Sequence, residues 1–178
     1  MPLENNRVDE LIRILQLQPH PEGGYFHEVY RSDKKVLLLP GMQERSSITT
    51  IYFLLVSGSY STWHRIAEDE IWHFYEGAPL ELLWAGPGIS GHVILGLVSE
   101  ARQQVAVVPP GCWQAARTMG EYTLVGCSVG PGFEFSSFEM LAAGSNAESE
   151  LREAHPVSWN VVANWQDLSG VPVINNQI

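Results

Sequence analysis

Apolar residues recur along this chain with two different periods. Near the start, Val8, Leu11, Ile12 and Leu15 follow one another at steps of one to four residues, a single stripe that predicts a short amphipathic helix over 7–17. Pro19 and Pro21 stop it. Tyr25-Phe26-His27-Glu28-Val29-Tyr30 then reads as a strand, and the polar stretch over 34–41 as a loop. From 47 to 138, short apolar runs end at Gly and Pro signals such as Gly58, Gly77, Gly86-Pro87-Gly88, Pro109-Pro110-Gly111 and Gly130-Pro131-Gly132. They predict strands over 48–56, 61–66, 70–75, 80–85, 92–98, 105–108, 114–119 and 122–129. With the N-terminal strand that makes about nine, which fits an all-β jelly roll. The pattern changes after 143. One or two helical turns are expected over 147–153, then irregular chain around Pro156 and Pro172. Trp159 and Trp165 are too apolar for a free tail. The chain therefore divides into a domain over 1–143 and an extension over 144–178 that packs on it or on a second subunit.

Composition narrows the function classes. The 178 residues hold 10 Lys and Arg against 20 Asp and Glu, a net charge of −10, and no basic run exceeds Lys34-Lys35. Nucleic acid and anionic membranes are not expected partners. Positions 1–9 carry no hydrophobic signal core, and no run reaches the roughly 18 apolar residues of a membrane span. Cys112 and Cys127 make no disulfide framework and read as reduced thiols of a cytoplasmic protein. Charged residues are only 17%, against 10% aromatic. That balance, with the open edges of a jelly roll, points to a homodimer.

The chemistry concentrates in 58–77. Gly58 is followed six residues on by His64, Glu70 lies six beyond it, and Gly77 seven further. Side chains two apart on a strand share a face, so Thr62, His64 and Ile66 are expected together, as are Glu70, Trp72 and Phe74. A hairpin then sets His64 beside Glu70, and Gln114 in Pro109-Pro110-Gly111-Cys112-Trp113-Gln114 is expected in the same cavity. Two readings remain open. His64 and Glu70 form a hydrogen-bonded pair in a pocket, or His64, Glu70 and Gln114 hold a divalent metal weakly. A neutral amide is a poor ligand, so no tightly held metal is expected. Glu22 and Tyr25 are placed at the pocket mouth, and Trp72 and Phe74 are core aromatics that also suit stacking on a sugar or base. His73 faces away by parity. Arg45, Arg65 and Arg117 read as ion-paired, with an anion clamp as the alternative, and Cys112 as a core thiol.

These motifs carry a resemblance. Gly, five residues, His-x-His, three or four residues, Glu, six residues, Gly is the first signature of the cupin superfamily, and Ile66 stands at its second His. In the second signature, Gln114 stands at the His. PEGGYFHEVYRS, SSITTIYFLL, WHRIAEDEIWHFYEG, VVPPGCWQAAR and LVGCSVGPGFEFSSFEML, in that order, together resemble one small cupin family over about 11–141. Its members are labelled as a domain of unknown function or as predicted cupin-superfamily sugar epimerases. The resemblance implies a double-stranded β-helix and usually a homodimer, with no established activity. Three functions follow as expectations. One is an isomerase or epimerase acting on a sugar or sugar nucleotide, with His64 as base made more basic by Glu70 and a Tyr hydroxyl returning the proton. The second is a non-enzymatic cupin that binds a small polar ligand, and the third is a metal-dependent cupin enzyme.

Overall fold

The first apolar stripe folds as α1 (Arg7–Ile14), capped by the Asn6 side chain accepting from the Val8 N–H. It stops short of its pattern because Gln16 takes φ +53°. The computed structural model describes residues 6–39, 41 and 43–169. Thirteen strands follow among them: β1 (Gln18–Pro19), β2 (Tyr25–Arg31), β3 (Lys35–Leu38), β4 (Gln43–Ser46), β5 (Thr49–Val56), β6 (Tyr60–Ile66), β7 (Asp69–Gly77), β8 (Leu80–Gly86), β9 (Ile89–Leu95), β10 (Val105–Val108), β11 (Trp113–Thr118), β12 (Tyr122–Gly130) and β13 (Phe138–Met140). They form a six-stranded sheet in the order β1-β2-β5-β12-β7-β10 and a five-stranded sheet in the order β13-β6-β11-β8-β9. The sheets face each other across Phe53, Leu55, Trp72, Phe74 and Val125 from one, and Leu80, Leu82, Leu95 and Ala116 from the other. This is a jelly roll.

Two expectations are corrected. The polar stretch taken as a loop is instead half of a hairpin, β3 paired with β4 from Lys35↔Ser46 to Leu38↔Gln43. No residue of β3 is fully buried, and the two buried residues of β4, Arg45 and Ser46, are polar, so no apolar alternation marks the pair. The chain after Pro156 is helical, not irregular: α2 (Asn146–Ala154) is followed by α3 (Pro156–Ser169). Proline suits the first turn of a helix, where its missing N–H has no partner to lose. Pro172 lies outside the described residues.

Leu151, Val162 and Trp165 of these helices pack with Trp63, Leu83, Ala85, Trp113 and Ala115, forming a second core on the outer face of the five-stranded sheet. α1 covers one end of the other outer face through Leu11, against Leu54 and Leu124. Among the described residues no helix lies on the rest of that face, and Tyr75, Val105 and Val107 are exposed there. No helix among the described residues is long and apolar enough to cross a membrane.

Candidate functional site

Two local devices aim polar side chains between the sheets. The first is the turn at Gly23 (φ +107°) and Gly24 (φ +73°). A Cβ on Gly23 would lie 2.3 Å from the Tyr60 carbonyl oxygen, and one on Gly24 2.7 Å from that of Leu54. Only glycine lets this turn press onto β5 and β6. The Thr62 N–H then donates to the Glu22 carbonyl (2.9 Å), and His20 and Glu22 reach the interior.

The second device is a β-bulge. Gln114 of β11 pairs with His64 and Ala116 with Ser61, so β6 spends one residue more than its neighbour. Ser61 and His64, three apart, therefore share the inner face, and Trp63 turns to the outer core. Thr62 is thereby displaced from the face expected of it, and its hydroxyl donates to the Glu22 carbonyl at 3.3 Å. A similar bulge between Glu28 and Tyr30 brings Arg31 round to Glu28.

The cavity so formed is about 100 Å³. His20, Glu22, His64, Glu70 and Cys127 are its polar wall; Phe26, Phe53, Phe133, Phe135 and Phe138 are its aromatic wall. Phe138 stacks on His64 at 5.6 Å. The His64 Nδ1–H donates to the Thr62 carbonyl oxygen (2.8 Å), since a carbonyl only accepts. Nε2 is left facing Glu22 Oε2 at 3.2 Å. Glu22 Oε1 accepts from the Ser61 hydroxyl (3.0 Å), and His20 Nδ1 accepts from the Glu22 N–H (3.3 Å). Glu70 accepts from the Gln114 amide, whose oxygen accepts from Trp72 Nε1–H (3.1 Å).

Burial dominates the titration of this group. It pushes the Glu22 carboxyl up to about 8, against the Ser61 hydrogen bond, and the Glu70 carboxyl up to about 7. It brings His20 down to about 4 and lowers His64, with Glu70 acting in the opposite sense on the latter. The Cys127 thiol is raised well above its ordinary value for the same reason. His64 is thus less basic than an exposed imidazole: desolvation outweighs the carboxylate expected to raise it. Nε2 and Oε2 are close enough to share one proton, and burial, which raises Glu22 and lowers His64, favours it on Glu22.

His64, Glu70 and Glu22 stand on the cavity wall. Gln114 is fully buried behind Glu70, and Trp72 and Phe74 belong to the core beneath the cavity. Tyr25 is absent from the site: it sits on the opposite face of β2, against the cluster of Leu11, Leu17 and Leu54. His73 is not on the wall. Arg45 is buried against Glu68 (2.9 Å), Arg65 pairs with Glu139 beside Trp113, and Arg117 pairs with Glu81 beside Trp165. Cys112 is a core residue. Sequence reasoning passed over His20, Ser61, Cys127, Arg31 and the Phe133–Phe138 pair. His20 had a legible signal, two residues from Glu22 beside a Gly-Gly turn; Ser61 had none, because a bulge leaves no mark in the pattern.

The metal chemistry of cupins does not fit these residues. Ile66 offers methyl groups at one histidine position. At the other, both ends of the Gln114 amide are engaged, by Glu70 and by an indole N–H that fixes its orientation. No group of three or more His, Cys, Asp or Glu among the described residues is arranged to hold a metal ion.

Two facing sheets in this strand order, with a polar cavity opening between them, define a cupin. The chain belongs to the family described as Cupin superfamily (DUF985), whose model matches residues 9–141. Among solved structures it is similar to a hypothetical protein from Leishmania major, with 32% identity, a TM-score of 0.75 and coverage of 88% of this chain and 96% of that one. A protein of Shewanella oneidensis is similar at 32% identity and a TM-score of 0.72, over 87% of this chain and 94% of that one. Oxalate decarboxylase from Bacillus subtilis shares the fold at 18% identity and a TM-score of 0.52, over 86% of this chain and 36% of that one. No curated protein matches the chain.

Proposed function

We propose that the cavity binds a small polar molecule, such as a sugar, and exchanges protons with it as an isomerase or epimerase does, without a resident metal. The observation that carries this reading is the 3.2 Å approach of His64 Nε2 to Glu22 Oε2, close enough for the two to share a proton. Two adjacent groups whose surroundings push their proton affinities in opposite directions form an acid and a base.

With a carbonyl compound bound, Glu22 gives its proton to the carbonyl oxygen. That frees Nε2 to take the proton from the neighbouring carbon. The C–H pair becomes the C=C bond of an enol, and the carbonyl π pair becomes the new O–H bond. His64 is left cationic beside an anionic Glu22. Reversal returns a proton to carbon: to the other face of the same atom for epimerisation, or to the adjacent carbon for isomerisation. The hydrogen bond to the Thr62 carbonyl holds the imidazole in one tautomer throughout. Glu70, fixed by Gln114, supplies a second exchangeable proton.

Uptake of solvent deuterium at carbon, across a panel of aldoses, ketoses and keto-sugar nucleotides, tests the proposal. The expected result is uptake with at least one member, reduced about 100-fold or more in His64→Gln and Glu22→Gln. Thermal stabilisation by a member of the panel, without deuterium uptake from any, would identify a non-catalytic binding protein instead.

The reading includes a cytoplasmic homodimer. The bare face of the six-stranded sheet supports it: Val107, Ile71, Ser128 and Thr50 lie in one cross-strand row, and Val105, His73, Gly126 and Tyr52 in the next. Neither row carries a charge, so the surface can meet a second copy of itself without like-charge repulsion.

A further inference from the structure

We propose that the molecule this cavity accepts is a small organic cation, carrying an amino or quaternary ammonium group together with a hydroxyl or carbonyl oxygen. The proposal rests on the reading of the cavity as a small-molecule site and specifies the charge of its occupant.

The wall carries four carboxyl groups, Glu22, Glu28, Glu70 and Glu134, and Arg31 is its single Lys or Arg. Four of the five N–H groups of Arg31 are engaged. Its Nε and Nη2 donate to Glu28 (3.0 and 2.8 Å), its Nη1 to Glu134 (3.0 Å), and Nη2 also to the Phe133 carbonyl (3.1 Å). Both imidazoles are held neutral by burial. A phosphate or carboxylate entering here would meet carboxyl oxygens and no free cation, and a buried anion without a partner is strongly disfavoured.

Five phenylalanines, Phe26, Phe53, Phe133, Phe135 and Phe138, also line the cavity, and a cation that reaches the face of such a ring is attracted by its quadrupole. Arg65 and Arg117, the two guanidinium groups that lie over aromatic rings, sit instead over Trp113 and Trp165 in the outer core. The side chain of His20 is 7% exposed. Its Nδ1 accepts from the Glu22 N–H, so the hydrogen is on Nε2, which has no hydrogen-bond partner among the described residues. That N–H, on a cavity wall residue, is free to donate to an oxygen of the bound molecule. Burial raises the Glu22 and Glu70 carboxyls to about 8 and about 7, so near neutral pH a bound cation can be compensated by release of a carboxyl proton.

The test uses three isosteric probes of different charge, tetramethylammonium, tert-butanol and trimethylacetate, with ethanolamine, ethylene glycol and glycolate as a second set. Each is titrated into the full-length protein near neutral pH, and the His20 and His64 ring protons are followed by NMR. The expected order is cation, then neutral, then anion, with tetramethylammonium or ethanolamine about tenfold or more tighter than its neutral counterpart. Glu70→Gln should erode that preference. Phe135→Ala, at the exposed rim, should weaken tetramethylammonium about threefold more than it weakens tert-butanol. Equal or tighter binding of the neutral or anionic probes overturns the cation assignment and leaves the small-molecule reading standing. Silence from all six overturns both.

Discussion

His64 Nε2 lies 3.2 Å from Glu22 Oε2, although 42 residues separate them and the sequence spacing pairs His64 with Glu70 instead. The imidazole is tethered on its other side by the Thr62 carbonyl, and the carboxyl is tethered by Ser61. Each tether fixes an orientation and leaves one atom free to exchange a proton. Glu70 is held separately, by Gln114 and through it by Trp72, as a second acid on the same wall.

Stability should fall as pH rises above neutral. The Glu22 carboxyl is at about 8 in the folded chain and the Glu70 carboxyl at about 7, both raised from 4.5. The folded state therefore holds extra protons, and the stability they contribute is complete below 4.5 and lost as pH climbs to about 8. His20, lowered from 6.5 to about 4, works the other way, gaining stability as pH rises through that interval and contributing no slope above it. Between 6.5 and 8 only the carboxyls act. Urea unfolding should show a decline of up to about 1.4 kcal/mol per pH unit for each proton released. Glu22→Gln should flatten it, and a level or rising wild-type curve would contradict the assignment.

Metal content gives a second expectation. The purified protein should retain well under one equivalent of any transition metal after dialysis against a weak chelator. Ile66→His combined with Gln114→His should gain stoichiometric metal, because it adds two imidazoles beside His64 and Glu70. Elemental analysis of both proteins decides. A full equivalent in the unmodified chain would restore the metalloenzyme reading.

Much of this was legible in the sequence, for identifiable reasons. The strands of the main sheets were bounded by glycine and proline turns, and a buried face gave each a readable pattern. His64 and Glu70 kept their period-2 parity and so were placed correctly on the interior. The β3–β4 hairpin was hidden because little of it is buried. α3 was hidden because Pro156 starts a helix where the pattern suggested an interruption. Tyr25 and Glu22 looked equivalent as neighbours of one turn, yet a strand sends alternate residues to opposite faces, and only Glu22 came inward. The true partner of His64 depended on a bulge in β6 and on the Gly23-Gly24 turn before β2, and their meeting is not a local property of the sequence.

The bare sheet face should hold the dimer. Sedimentation at micromolar concentration should give a mass near twice 19.8 kDa for the natural chain. Val107→Glu, a charge placed at the edge-strand end of this row, should return it to the single-chain mass without loss of fold. A natural chain that sediments as a monomer would remove this element of the account.

The account turns on where one proton resides, and the nitrogen spectrum of ¹⁵N-labelled histidine reads that directly. At neutral pH His64 should show a protonated, pyrrole-type Nδ1 and an unprotonated, pyridine-type Nε2. Glu22→Gln should keep that pattern, because its amide N–H can donate to Nε2 as the protonated carboxyl does, and the His64 nitrogen signals should show a step as Glu22 ionises near pH 8 in the natural chain but not in the variant. A protonated Nε2 at neutral pH, or His64 signals with no such step in the natural chain, would contradict the shared-proton pair on which the proposed chemistry depends.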